Sequence, residues 1–437
     1  MTHRKWYQRC LVAAVLREGA AMPETIFHVD QSKSMRDQQV PGHNRWHPDI
    51  PPGAQARPGD EFRIECKEWT DGQVRNDDSA NDIRDMVLDY NHMLSGPIAV
   101  AGAEPGDLLV VDFLDIGPAS NIEAPQQREA GQGWGYTGIF AKENGGGFLT
   151  DHYPEAGKAI WDFHGRNATS RHLPGVRITS NVHPGLAGCA PSAELLAEWN
   201  RREQALIDTD PNRVPPLALP PLESGNLMGA LTGAARDRAA SEGARTVPPR
   251  EHGGNVDIKN MSIGTRVFYP VYVPGANYSI GDLHFAQGDG EISFCGAVEM
   301  GGYIDVGVDL IKGGMDAYGI DMPIFQPGRQ EPRYTEFVTF MGISVDEGGD
   351  QHYMNATIVY RRACLNAIEY LKKFGYTGEQ AYIILNAAPI EGRVSGIVDI
   401  PNACCSVYLP TEIFDFDIRP GNSGPTSANR GSLASAG

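Results

Sequence analysis

MSIGTRVFYPVYVPGANYSIGDLHFAQGDGEISFCGAVEM, residues 261–300, sets short apolar runs between Gly and Pro breaks and reads as consecutive β-strands. Beyond the glycines at 288 and 290 the alternation is legible. Ile292, Phe294, Val298 and Met300 fall on one face, and Glu291, Ser293, Cys295, Ala297 and Glu299 on the other. An apolar face buries against a core, which leaves the face of Glu291, Cys295 and Glu299 to line a site. Asp282 and His284 also share a face, as do Asp289 and Glu291, and the glycines permit a bend tight enough to bring the two pairs together.

Outward from this stretch the pattern is mixed. From about Thr25 to Glu123 short strands such as FRIECKEW (62–69) and LLVVDFLDI (108–116) alternate with Pro and Gly breaks, with one helix expected near Asn81–Met93. Residues 124–175, rich in Gly, His and aromatics, read as loops over a scaffold and as candidate walls of a substrate site. Ser192 is the expected N-cap of a helix running to about Leu206, and residues 207–252 read as an extended insertion. NATIVYRRACLNAIEYLKKFG (355–375) carries the clearest helical periodicity, with Ile358, Ala363, Ile368 and Leu371 in its apolar stripe, and a second helix is expected over 378–385. Strand runs followed by helices define a β-rich α+β chain. The Ser/Gly/Asn-rich end, 419–437, is expected to be disordered. Residues 1–21 hold an apolar run too short for a signal peptide and are expected to form a poorly ordered or non-native arm, with Met22 the natural start.

The 437 residues are 41% hydrophobic and 21% charged, with a formal net charge of −18, and no basic run is present. Nucleic acid is therefore excluded as a partner on charge, and no segment approaches the roughly 18 apolar residues of a membrane helix. Seven cysteines without CxxC spacing suit a reducing compartment, here the cytoplasm.

Neither G-x-S-x-G nor H-E-x-x-H occurs, so attention falls on carboxylates and histidines. Two readings of the 282–291 cluster stand side by side. Asp282, His284 and Asp289 could hold one divalent metal through N and O ligands, zinc before magnesium or calcium, or Glu291, Asp289 and His284 could act as acid and base on a bound water. Gln287, Glu299, Cys295 and His183, the last in the loop NVHPG (181–185), are the candidate substrate contacts. Cys295 is a rival nucleophile, although the carboxylates beside it would oppose its thiolate. His43 and His47, in PGHNRWHPD (41–49), are candidates for substrate or subunit contact. A β-sandwich module that binds small polar ligands without turnover would display the same hairpin.

GDLHFAQGDGEISFCGAVEM, together with FHVDQSKSMRDQQVPGHNRWHPDIPPG near the start and GRVSGIVDIPNACCSVYLPTEIFDFDI near the end, resembles the acetamidase/formamidase family over residues 23–418. The resemblance implies a β-sandwich, jelly-roll-like half (22–200 and 253–345) joined to a smaller α+β half (346–418) in a single catalytic unit. It further implies homo-oligomers, trimers or multiples of three, and hydrolysis of formamide or another short aliphatic amide to ammonia and a carboxylate, without an organic cofactor. Proteins that open γ-lactams are similar to the chain as well. The family pattern GD-x-H-x-x-QGDGE falls on Asp282, His284, Gln287, Asp289 and Glu291.

Overall fold

The strand Tyr278–Gln287 is buried at all ten of its positions. Its place in the sheet is the reason. In the computed structural model, which describes residues 22–120 and 132–437 apart from 213, 215, 216, 218 and 330–332, this strand is central to a twelve-stranded sheet. Phe294–Met300 flanks it on one side, with Gln132–Ile139 and Gly157–His164 beyond, and His183–Gly188 flanks it on the other. A second sheet of six strands is ordered Glu24–Phe27, Glu61–Cys66, Gly302–Ile311, Leu108–Pro118, Arg266–Pro270 and Ile324–Gln326. The two sheets share one core, in which Phe62, Val111, Val267 and Ile304 of the smaller join Ile139, Ile280 and Val298 of the larger. The chain is thus β-rich α+β with open sheets.

Helices Ala356–Lys372 and Gly378–Ala387 add their buried stripes to that core, so the central strand is covered on both faces. The first is capped by Asn355, whose side chain accepts from the Ile358 amide at 3.1 Å, and the second by a capping box of Thr377 and Gln380. A three-stranded sheet, Phe337–Ile343, Cys404–Pro410 and Glu391–Gly396, lies on the first helix. The approach is close enough that a Cβ on Gly342 would come within 2.0 Å of the Val359 carbonyl oxygen. The helix opened by Ser192 forms as expected, over Ala193–Thr209, with the Ser192 hydroxyl accepting from the Leu195 amide at 3.2 Å. Among the described residues no helix is long and apolar enough to cross a membrane.

Four local expectations are corrected. The helix expected over 81–93 is reduced to two short turns, Asn81–Arg84 and the 3-10 turn Leu88–Tyr90, before Leu94 enters the sheet opposite Gly281 of the central strand. The aromatic 124–175 stretch is loop and turn over 140–156 and 171–175 but strand over Gln132–Ile139, Gly157–His164 and Asn167–Ser170: Tyr136, Trp161 and Phe163 are core side chains, and Gly135 permits close strand approach, since a Cβ there would lie 2.5 Å from the Glu299 carbonyl oxygen. The 207–252 insertion holds the helix Gly233–Glu242 and the strand Ala244–Arg245, which pairs with Arg45–Trp46. The 419–437 tail is tied down rather than disordered. Ala434 pairs with Lys158, the Arg430 carbonyl accepts from Gln380 Nε2 at 2.8 Å, and the Arg430 guanidinium lies 3.9 Å from the Phe416 ring centre. The arm expected over 1–21 lies outside the described residues.

Candidate active site

Strand register assembles the site. His284 stands opposite His183 on one neighbouring strand and opposite Glu299 on the other. Its Nε2 lies 3.2 Å from Asp282 Oδ1 and 3.1 Å from Glu299 Oε2. Asp257 and Glu291 converge on the same imidazole from the loop after Gly253–Asn255 and the turn before Phe294–Met300, with one ligand atom of each, and one of His284, mutually within 4.8 Å. Gly185 leaves the space they occupy: a Cβ there would sit 2.5 Å from His284 Cε1 and 2.7 Å from both Asp257 Oδ1 and Asp282 Oδ2. Asp257, Asp282 and Glu291 have φ of 48°, 54° and 43°, a left-handed backbone that costs on the order of 1 kcal/mol or more per non-glycine residue and persists where surrounding structure enforces it. Strain of this kind falls here on three of the four acids of the cluster.

Four carboxyls around one imidazole, Asp282 and Glu299 buried and Asp257 and Glu291 partly buried, cannot all carry charge at neutral pH. Burial raises Asp257 to about 7, helped by the neighbouring Asp282 charge. Burial also lifts Glu299 to about 7 against the pull of His284, and raises Glu291 well above the carboxylate range, with Asp257 and Glu299 adding to the shift. Asp282 goes the other way, because the His284 imidazolium outweighs the burial that opposes ionisation. Burial likewise disfavours the charged His284 ring, yet Glu299 and Asp282 hold its pKa well above the usual value. Such separation of acids by environment is what acid–base chemistry at neutral pH requires.

The donor set also fits a hard divalent ion. His284 Nε2, Glu299 Oε2 and Asp257 Oδ1 are buried without an aligned hydrogen bond, even though Nε2 and Oε2 stand within ion-pair distance. Orphaned nitrogen and oxygen atoms facing a common space suit a cation or an ionisable water.

The other candidates fall as follows. Asp289, expected beside Glu291, turns away beyond Gly290 and stands outside the cluster: Lys259 Nζ lies 2.9 Å from its Oδ1, and the Gly392 amide donates to Oδ2 at 2.9 Å. Gln287 lies at the cluster, but both ends of its carboxamide are taken by protein groups: Oε1 faces the His183 and His284 rings, and Nε2 donates to the Asp257 carbonyl at 2.6 Å. Cys295 is fully buried among Ile83, Tyr136 and Phe140, and burial, then the Glu299 and Glu291 charges, pushes its thiol well above the ordinary range, which disfavours a thiolate nucleophile. His43 is engaged by the Arg45 carbonyl and Ser279 Oγ, both at 2.7 Å, and His47 lies 3.2 Å from Glu242, so neither reaches the cluster. Sequence reasoning missed Asp257, whose only local signal is its position after the glycines of HGGNVD (252–257), and also Lys259 and the buried His92, close enough to Asp282 and His284 to feel both charges.

A sheet-borne cluster of this composition carries the types of group that can activate water and protonate a leaving group, as hydrolases require. The acetamidase/formamidase family model matches residues 28–416. An acetamidase of Mycolicibacterium smegmatis is 64% identical over 411 residues, 94% of this chain and 98% of that protein. A formamidase of Methylophilus methylotrophus is 60% identical over 402 residues, 92% of this chain and 96% of that one. A gamma lactamase from Delftia acidovorans superposes with a TM-score of 0.89 at 56% identity, over 95% of this chain and all of that one. The chain belongs to the acetamidase/formamidase family and is an amide hydrolase.

Proposed function

We propose that the substrate is a short aliphatic amide, formamide first, cleaved to ammonia and the carboxylate by a water that Glu291 activates. The observation that carries this reading is the array of buried and partly buried carboxyls around the imidazole of His284. Glu291 in its ionised form, made a stronger base by its raised pKa, takes a proton from water as the water oxygen attacks the amide carbon. The tetrahedral intermediate then collapses with C–N cleavage, and Asp257 or the newly protonated Glu291 returns a proton to the departing nitrogen. A divalent ion, zinc by the nitrogen and oxygen donor set, would be held by His284 with Asp282 and Glu299, or with Asp257 and Glu291, and would polarise the carbonyl and acidify water. The scaffold in this proposal is a sandwich of the two facing sheets, assembled as a homo-oligomer in the cytoplasm. The exposed apolar Met341, Val394, Val398 and Ile400 support subunit contact.

Ammonia release from formamide, acetamide and propionamide, before and after chelation and with elemental analysis, tests the proposal. Glu291→Gln should lose activity on the order of a hundredfold or more while its melting curve holds, as expected for loss of a general base. Retention of more than about a tenth of wild-type turnover would rule that role out. The likeness to the gamma lactamase favours γ-lactam opening as a second reading, and a ring-opening assay on the same protein decides it.

A further inference from the structure

The ring protons around His284 can be placed from two carbonyls, because a carbonyl only accepts. The Asn181 carbonyl lies 2.7 Å from His183 Nδ1, so that nitrogen carries a proton and donates it. His183 is fully buried and in ion-pair contact with no carboxylate among the described residues, so a neutral ring is favoured, and with its one proton on Nδ1 its Nε2 has only a lone pair. The Asp257 carbonyl, 2.6 Å from Gln287 Nε2, fixes the carboxamide with Oε1 towards both rings. His183 Nε2 and Gln287 Oε1, 3.0 Å apart, are therefore two acceptors side by side. His284 Nδ1 lies 3.3 Å from the first and 2.9 Å from the second, and a proton on that nitrogen, shared between them, satisfies all three atoms. The opposite tautomer would leave three lone pairs facing one another in a buried site, each an unsatisfied polar atom.

We propose that His183 and Gln287 are positioning residues that keep a proton on His284 Nδ1 whether the ring is charged or neutral, so that Nε2, the nitrogen between Asp282 and Glu299, is the one that gains and loses a proton in hydrolysis. Both ends of the lock are anchored in the backbone. The Asn181 amide donates to the Phe285 carbonyl at 2.9 Å, and the Asp257 amide donates to the Gly185 carbonyl at 3.1 Å. Hydrogen-bonding partners of this kind orient a working histidine and fix its tautomer.

The inference rests on His284 lying at the hydrolytic centre, so one readout is independent of turnover. In the full-length protein labelled with 15N-histidine, with the His284 signals identified by their loss in His284→Gln, Nδ1 should carry a bonded proton. A neutral ring with its proton on Nε2 and a bare Nδ1 would overturn the proposal. The kinetic arm compares two substitutions. His183→Leu removes the acceptor and should lower kcat about tenfold or more with little change in KM, whereas His183→Gln places a carboxamide oxygen near the lost Nε2 and should recover most of the loss. Wild-type kcat in His183→Leu, or two folded variants equally impaired, would overturn it, and if neither variant folds the ring-proton result on the wild type decides. Absence of ammonia from every amide would sink the amidase reading and leave the ring-proton result standing.

Discussion

Substituting Gly185 with alanine should disable the centre while leaving the fold in place. The added methyl would lie 2.5 Å from His284 Cε1 and 2.7 Å from Asp257 Oδ1 and Asp282 Oδ2. Carbon atoms in ordinary contact stand about 3.5–4.0 Å apart, so the imidazole alone is short by about 1 Å. Its freedom to retreat is small. The His284 ring is held at Nδ1 by Gln287 and His183, and the Gly185 carbonyl accepts from the amides of Val256 and Asp257, both at 3.1 Å. Overpacking of this kind costs typically about 1–3 kcal/mol, which a chain of this size tolerates. Displacing reacting groups by about 1 Å costs on the order of a hundredfold in rate. Ammonia release and a thermal melt, run together on Gly185→Ala, should give a folded protein with kcat/KM down by about that factor. A folded variant with wild-type kcat/KM would refute the assignment of catalysis to the crowded His284 cluster.

Cys295→Ala should keep most of the activity, since burial and two nearby carboxyls oppose a thiolate there; loss of about a hundredfold in kcat without unfolding would restore the cysteine as nucleophile. Glu299 sets a pH dependence. Its folded pKa of about 7 exceeds the unfolded value of about 4.3, so the folded state binds the extra proton, and the stability this contributes is lost as pH rises through the folded value. Chelated wild type should therefore lose stability relative to Glu299→Gln between about pH 5 and about pH 8, and a difference in melting that stays constant over that range would contradict the shift. Deleting residues 428–437 removes the Arg430 contact with Phe416, the Gln380 hydrogen bond and the Ala434 pairing; denaturant melts should register a loss on the order of 2 kcal/mol with turnover retained, and an unchanged melt would show the tail to be passive.

Much of the site was legible along one stretch. Asp282, His284, Glu291 and Glu299, all within 282–299, meet in space, and the two well-patterned helices formed, the first under its expected Ser192 cap. Period-two alternation and capping are local properties, set by the geometry of a few consecutive residues. Where the pattern was interrupted, expectation failed: the glycine-rich GWGYTGIF (133–140) resembles a loop, yet its glycines are where strands press together.

The sequence by itself determined the β-rich composition, the helix starts and the identity of most of the reactive acids, because each follows from neighbours along the chain. Tertiary structure alone decided that Asp257 joins the cluster, that Lys259 takes Asp289 away from it, and that His183 meets His284 and Gln287 at the register where their acceptors face. These outcomes depend on strand pairing between segments tens to more than a hundred residues apart. The pKa values follow from the same assembly, since a carboxyl at about 7 requires the low-dielectric surroundings and close charges that only the packed sheet supplies.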